Sequence, residues 1–137
     1  MEEEEEYYLD LDKIIEENKI RKACIEFRDF LIKNDYYNRV ADDEFSKKFE
    51  NFLDTCFDHF KKRKPKDEYQ LNSYSEIYRT VIKNFNKNGI KPNVPSILST
   101  VLIYIRCHTW DEKTCDLLKT ILDYRKEITP SEYSHIS

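Results

Sequence analysis

This chain of 137 residues contains only one glycine and four prolines. Glycine and proline are the residues that most often interrupt helices and form tight turns, so their scarcity favours long regular elements. An all-β domain of this length would need many turns, and the sequence therefore predicts a helical fold. The length suits a single core. We expect one domain over residues 1–137, with a flexible acidic segment at 1–8 and a flexible tail at 130–137.

Apolar residues recur with helical spacing in several stretches, and these stretches predict an all-α bundle of five or six main helices. They are residues 20–31, 45–60, 74–85, 97–105 and 115–124. A weaker pattern at residues 9–15 predicts a short helix or an N-terminal arm. The stretch 97–105 is apolar nearly all round, which predicts that it is the buried central helix.

Local signals indicate where several of these helices begin and end. Asp42 or Asp43 is the expected N-cap of the second helix, and Ser73 that of the third. Asn88 and Gly89 both tolerate the left-handed conformation and are expected to end the third helix. Pro95 is expected in the first turn of the fourth helix, where a missing N–H has little effect. Residues 107–111 are expected to form the corner before the last helix.

The charge pattern argues against nucleic acid and membrane spans. The net charge is −4, and the acidity is concentrated in residues 2–6. The one basic run, residues 61–66, is better interpreted as a solvated loop than as a phosphate-binding or targeting patch. We found neither a run of 18 apolar residues nor the apolar core of a signal peptide. We therefore expect no nucleic-acid partner and no integral membrane segment.

The residues that carry chemistry are scattered. The four cysteines, Cys24, Cys56, Cys107 and Cys115, show no CxxC spacing and fall on or beside apolar helix faces. Reduced core thiols in a cytosolic protein are the preferred interpretation, with disulfides or metal ligands as alternatives. The sequence has no glycine-rich phosphate loop, HExxH or GxSxG motif, and its histidines are isolated. We expect no catalytic, cofactor-binding or metal site, and no enzyme activity.

Three segments resemble one family. Residues 40–49, Val-Ala-Asp-Asp-Glu-Phe-Ser-Lys-Lys-Phe, are similar to the Ala-Gly-Asp-Asp-Phe-Ser-Arg-Arg-Tyr run in the second helix of Bcl-2 proteins. Residues 78–90 are similar to the family's Phe-Ala-Thr-Val-Val segment and the start of its first homology motif, BH-1. Residues 20–36 resemble its first helix. Together the resemblance covers about residues 18–105.

The resemblance implies a Bcl-2-like bundle around a central apolar helix, with a hydrophobic groove on its surface. In the family this groove binds the amphipathic BH-3 helix of a pro-apoptotic protein. Carried over to this chain, one wall comes from the second helix, the other wall from the third, and the rim from the start of the fourth. The implied groove residues are Phe45, Lys48, Phe49, Leu53, Cys56, Val81, Phe85, Lys87, Lys91, Asn93 and Val94.

The sequence departs from the family at the groove rim. The family's Asn-Trp-Gly-Arg falls on residues 91–94, so Val94 replaces the arginine that pairs with the ligand's aspartate. Lys48, Lys87 or Lys91 could substitute, although a lysine lacks the bidentate geometry of arginine. Asp42 stands where the family's small glycine would be, which favours a groove-wall role for this helix over a role as death-promoting ligand. We recognise no BH-2 motif and no C-terminal membrane anchor.

A divergent member without an anchor resembles homologues carried by large DNA viruses. The resemblance implies an inhibitor of host apoptosis that binds a narrow range of BH-3 ligands, Bim first and then Bak or Bax. It would act in the host cytoplasm, also peripherally at mitochondria, and a homodimer would be one way to cover the apolar groove. The first alternative is the same fold used as a decoy that blocks innate-immune signalling adaptors. The second is a helical structural or assembly protein.

Overall fold

The computed structural model describes residues 18–60 and 73–128, and every helix or strand assigned there is a helix. The five α-helices are α1 (Asn18–Lys33), α2 (Asp43–Phe60), α3 (Ser75–Lys87), α4 (Val94–His108) and α5 (Glu112–Ile128). A 3-10 turn, Tyr36–Asn38, lies between α1 and α2. The all-α prediction is therefore confirmed for these ranges. The predictions for residues 1–8, 9–15, 61–66 and 130–137 lie outside the described residues.

None of the described helices combines the length and the apolar character that crossing a membrane requires.

An aromatic cluster holds α1 against α2. The ring of Phe27 on α1 stacks on Phe52 with 4.9 Å between ring centroids, and on Phe49 at 5.4 Å. Phe45 lies 5.3 Å from Phe49 and 5.7 Å from Tyr36 of the 3-10 turn. Offset aromatic pairs at these distances add about 0.5–1.5 kcal/mol each beyond the area that they bury. The buried part of the apolar stripe of α2 thus belongs to the core.

The predicted helix starts are confirmed for α2 and α4 but not for α3. The carboxylate of Asp42 accepts the backbone N–H of Phe45 at 2.9 Å, so Asp42 is the N-cap of α2. Asn93 caps α4, and Pro95 occupies its first turn as expected. The Ser73 prediction was wrong. The third helix begins at Ser75, and no side chain of its own segment caps it.

A neighbouring helix supplies the side-chain acceptor that the start of α3 lacks in its own segment. The backbone N–H of Ser75 donates to the carboxylate of Asp54 on α2 at 3.2 Å. At the other end, Gly89 adopts a φ of 72°. Its N–H donates to the carbonyl of Asn86, and that of Ile90 to the carbonyl of Phe85. This pair of bonds is a Schellman motif, and the predicted stop at Asn88 and Gly89 is confirmed.

Buried polar contacts join Tyr74, the residue before α3, to the corner before α5. The corner covers residues 109–111, because α4 continues to His108, so the prediction of a corner at residues 107–111 placed its start two residues too early. Asp111 is buried there and accepts the hydroxyl of Tyr74 at 2.8 Å and the backbone N–H of Thr114 at 2.9 Å. Burial is the main reason why the pKa of Tyr74 is raised above its usual value. These bonds compensate the carboxylate for the loss of water.

The fourth helix, α4, was predicted to be the buried central helix, and it buries one side while the other side remains partly exposed. One side packs against α3, α5 and the 3-10 turn, and it buries Ile97, Leu98, Val101 and Ile105. The opposite side carries Ser99 and Thr100, which are half-buried, and Ile103, which is 54% exposed. The stretch looked apolar all round because its serine and threonine residues lie towards its N-terminal end.

The cysteine prediction is confirmed for three residues and corrected for one. Cys24, Cys56 and Cys115 are buried free thiols, and burial raises the pKa of Cys24 and of Cys115 to about 12. Cys107 is also free, but it is exposed. It lies one turn after Ile103, on the side of α4 that faces away from the core.

Candidate protein-binding surface

Most of the predicted groove wall lies inside the core. Six of the predicted groove residues have at most 1% of their surface exposed: Phe45, Phe49, Leu53, Cys56, Val81 and Val94. Phe85 is half-buried, and Lys48, Lys87, Lys91 and Asn93 are exposed. The residues expected to face each other across a groove are therefore packed together, and α2 and α3 are closed against each other.

Aromatic and polar contacts both contribute to this closure. The ring of Tyr78 on α3 meets Phe49 edge-on at 5.3 Å and Phe45 at 6.3 Å. Its hydroxyl shares a hydrogen bond of 2.5 Å with Ser46 on α2. Burial is the largest cause of the raised pKa of Tyr78. Opening the two helices would expose these rings and break this bond.

The N-terminus of α2 is held by a second set of contacts. The hydroxyl of Tyr36 donates to the carboxylate of Asp42 at 2.8 Å, and Arg39 pairs with the same carboxylate at 3.0 Å. The N–H of Phe45 contributes most to lowering the pKa of Asp42, and Tyr36 and Arg39 act in the same direction. Asp42 is thus a structural anchor for the helix that resembles the BH-3 segment of the family.

An open apolar trough lies instead between α3 and α4. Its volume is about 210 Å³. We call it the α3–α4 trough, and it is lined by Val81, Asn84, Phe85, Asn88, Ile90, Thr100 and Tyr104. Two of the predicted groove residues, Val81 and Phe85, therefore meet at one open site.

A wider polar cleft adjoins this trough. Its volume is about 740 Å³, and it shares Phe85 and Thr100 with the trough. Its other lining residues are Tyr37, Asn38, Asn93, Pro95, Ser96, Ser99 and Arg125. Hydroxyl and amide groups predominate, so this cleft suits hydrated polar contacts beside the apolar trough.

Lys48 lies on a different side of α2. It lines a small cleft between α1 and α2, with its ammonium 5.7 Å from the ring centre of Phe30. Val94, which the resemblance aligns with the family's arginine, is fully buried. Lys87 and Lys91 remain exposed near the trough, three residues after Asn84 and one after Ile90.

Sequence reasoning missed Ile90, Thr100 and Tyr104 as surface-forming residues. A signal for the last two was present, because Ser96, Thr100 and Tyr104 follow one another at four-residue intervals. Polar residues at that spacing indicate one exposed face of a helix.

Within residues 18–60 and 73–128, no group of three or more His, Cys, Asp or Glu side chains is arranged to hold a metal ion.

Comparison with known proteins identifies no matching family model, no matching curated protein and no matching solved structure.

Proposed function

We propose that this chain is a Bcl-2-like module that interferes with host defence by binding another protein, and that it acts as a decoy for innate-immune signalling adaptors. The family assignment rests on the sequence resemblance at residues 18–105. The choice of the decoy over BH-3 capture rests on the packing between α2 and α3. The proposed place of action is the host cytoplasm.

The closed packing of α2 against α3 is the observation that favours the decoy over BH-3 capture. A BH-3 helix that entered between them would have to displace the contacts of Phe45 and Phe49 with Tyr78. Both phenylalanine side chains are fully buried in the free chain. A peptide would have to compensate for this loss out of its own binding energy, and would do so without the arginine–aspartate pair.

The second candidate is a BH-3-binding inhibitor of apoptosis, and the α3–α4 trough favours it. Val81 and Phe85 belong to the groove implied by the resemblance, and they line this trough. Lys87 lies beside it and could pair with an acidic residue of the ligand. Bim is the first ligand to test, then Bak and Bax, and peripheral contact with mitochondria belongs to this candidate.

Calorimetry with a Bim BH-3 peptide separates the two candidates. Phe85→Ala removes a half-buried aromatic from the trough, and Phe30→Ala removes another half-buried aromatic on α1 as the matched control. Submicromolar binding that Phe85→Ala weakens and Phe30→Ala does not would support BH-3 capture. The decoy predicts no binding at tens of micromolar peptide, a concentration range that corresponds to less than about 7 kcal/mol of binding free energy.

A cell assay completes the test. The chain would be expressed in cells that carry a reporter of innate-immune signalling, and the same cells would be challenged with an apoptotic stimulus. The decoy predicts a suppressed reporter without protection from death, whereas BH-3 capture predicts protection. If neither response changes, both candidates fail and a structural or assembly role becomes the better explanation.

A further inference from the structure

A small cleft between α1 and α2 lies apart from both surfaces described above. Its volume is about 250 Å³, and it shares no lining residue with the α3–α4 trough or with the polar cleft beside that trough. We call it the α1–α2 cleft. It is lined by positions 23, 26, 27 and 30 of α1 and by positions 48, 51, 52 and 55 of α2. Both sets follow the spacing i, i+3, i+4, i+7, so one continuous face of each helix borders the cleft.

The floor of the α1–α2 cleft is aromatic. Phe27 and Phe52 are each 4% exposed, and their rings stack with 4.9 Å between centroids. Along the α1 wall, Phe30 is half-buried at one end and Ala23 is half-buried at the other. Because the alanine side chain is small, space remains above the two stacked rings. The floor therefore suits an apolar group that enters from solvent.

The rim of the cleft carries three exposed polar side chains. They are Glu26 on α1 and Lys48 and Asn51 on α2. Among the described residues, none of these three side chains makes a hydrogen bond or an ion pair. The ammonium of Lys48 lies 5.7 Å from the ring centre of Phe30, which is its one described contact with a ring. One negative and one positive charge therefore flank the aromatic floor without pairing with each other.

The two charges have a spacing that suits a small zwitterion. Glu26 precedes Phe30 by about one helical turn, which is roughly 6 Å along the axis of α1. Because Lys48 lies over the ring of Phe30, the two charges stand on the order of one helical turn apart along the cleft. A ligand with an ammonium and a carboxylate on the same carbon fits between them, with each group within hydrogen-bond distance of its partner.

We propose that the α1–α2 cleft binds a free apolar α-amino acid as its zwitterion. The ammonium of Lys48 donates to the ligand's carboxylate, and the ligand's ammonium donates to the carboxylate of Glu26. The ligand's side chain lies on the rings of Phe27 and Phe52, in the space beside Ala23. At about 30 Å³ per water molecule, the cleft has room for on the order of eight waters, the size of one leucine or phenylalanine. This inference is independent of the proposed function, because its ligand is a small molecule.

Other ligands match the cleft less well. A hydrocarbon would leave the charges of Glu26 and Lys48 without partners. A polyanion would be repelled by Glu26, and a polycation by Lys48. A residue at the end of a peptide chain carries only one of the two charges, and phosphoethanolamine carries both but has no apolar group for the floor. A free apolar amino acid matches the two charges and the aromatic floor together.

The first experiment titrates leucine and phenylalanine into the isotope-labelled whole chain and follows the amide shifts. We expect saturating shifts centred on residues 23–30 and 48–55, with a dissociation constant of about 0.1–1 mM for a ligand of about ten non-hydrogen atoms. Glycine has the same charged groups without a side chain and should bind about tenfold more weakly. N-Acetyl-leucine, leucinamide and phosphoethanolamine should each bind at least about threefold more weakly than leucine. No saturation of the shifts by about 10 mM leucine or phenylalanine, shifts centred elsewhere, or equal binding of any of these four controls would overturn the proposal.

Matched variants locate the site. Lys48→Gln and Glu26→Gln should each weaken leucine binding at least about threefold. Lys47→Gln and Glu127→Gln remove the same charges at exposed positions outside the cleft and should leave binding unchanged. Ala23→Leu should fill the space above the rings and weaken binding about tenfold, with urea unfolding as the check that this variant is folded. Equal effects of the cleft and control variants, or undiminished binding by a folded Ala23→Leu variant, would overturn the assignment; if Ala23→Leu does not fold, the two charge variants decide it.

Discussion

Replacing Phe49 with alanine tests whether α2 presents a groove wall or a core face. The Phe49 side chain is 0% exposed. Its ring lies 5.4 Å from Phe27, 5.3 Å from Phe45 and 5.3 Å from Tyr78. Loss of a buried phenylalanine with partial relaxation costs about 3–5 kcal/mol. Because Phe49 contacts aromatic rings on α1, α2 and α3, we expect Phe49→Ala to lower the free energy of unfolding by about 4 kcal/mol. That is a large part of the roughly 5–15 kcal/mol by which a domain is typically stable.

Urea unfolding followed by circular dichroism measures this loss. With a denaturant slope of about 2 kcal/mol per molar, the midpoint should fall by about 2 M while the slope stays the same. Backbone dichroism is preferable to fluorescence, because Trp110 is 52% exposed and senses unfolding poorly. Ile103→Ala, at an exposed position of α4, should cost no more than about 0.5 kcal/mol. Phe49→Leu, which retains most of the volume, should cost less than about 2 kcal/mol.

The reasoning is refuted if Phe49→Ala costs no more than Ile103→Ala. That result would mean that the Phe49 side chain is already accessible in solution and that α2 and α3 are open. BH-3 capture would then become the better proposal, and a Bim peptide should stabilise the protein in the same unfolding experiment.

Three further predictions concern local features of the fold. Asp42→Ala removes the N-cap of α2 and should cost about 1 kcal/mol at pH 7. Because the pKa of Asp42 is lowered in the fold, its contribution to stability is present above about pH 4 and is lost as the pH falls further. An undiminished difference in stability between the original chain and Asp42→Ala at about pH 3 would contradict this. A maleimide should label Cys107 alone in the native protein, and labelling of a second cysteine would contradict the burial of the others. Gly89→Ala should cost about 1 kcal/mol through backbone strain alone, because nothing lies within 4 Å of an added Cβ. Gly89→Asn should cost less, since asparagine tolerates the left-handed region, and equal costs would refute the strain argument.

The positions of the helices were predictable because their signals are local. The apolar spacing of residues 45–60 reflects the period of the helix itself. The caps at Asp42 and Asn88–Gly89 act within four residues of where they stand. Local signals do not predict the start of α3. Its acceptor is Asp54, which belongs to another helix and cannot be recognised from the residues around Ser73.

The role of each apolar face was decided only by the tertiary structure. The stripe containing Phe45 and Phe49 has the same pattern whether it lines a groove or fills a core, since periodicity states only which side chains share a face. Contact with Phe27 and Tyr78 determines that this face is core. In the same way, the absence of a described element over Ile103 leaves one side of α4 exposed, although its sequence looks apolar all round. The sequence by itself determined which residues form helices, because those interactions are short-range. What covers each helix depends on residues far away in the chain, and only the packed structure decided it.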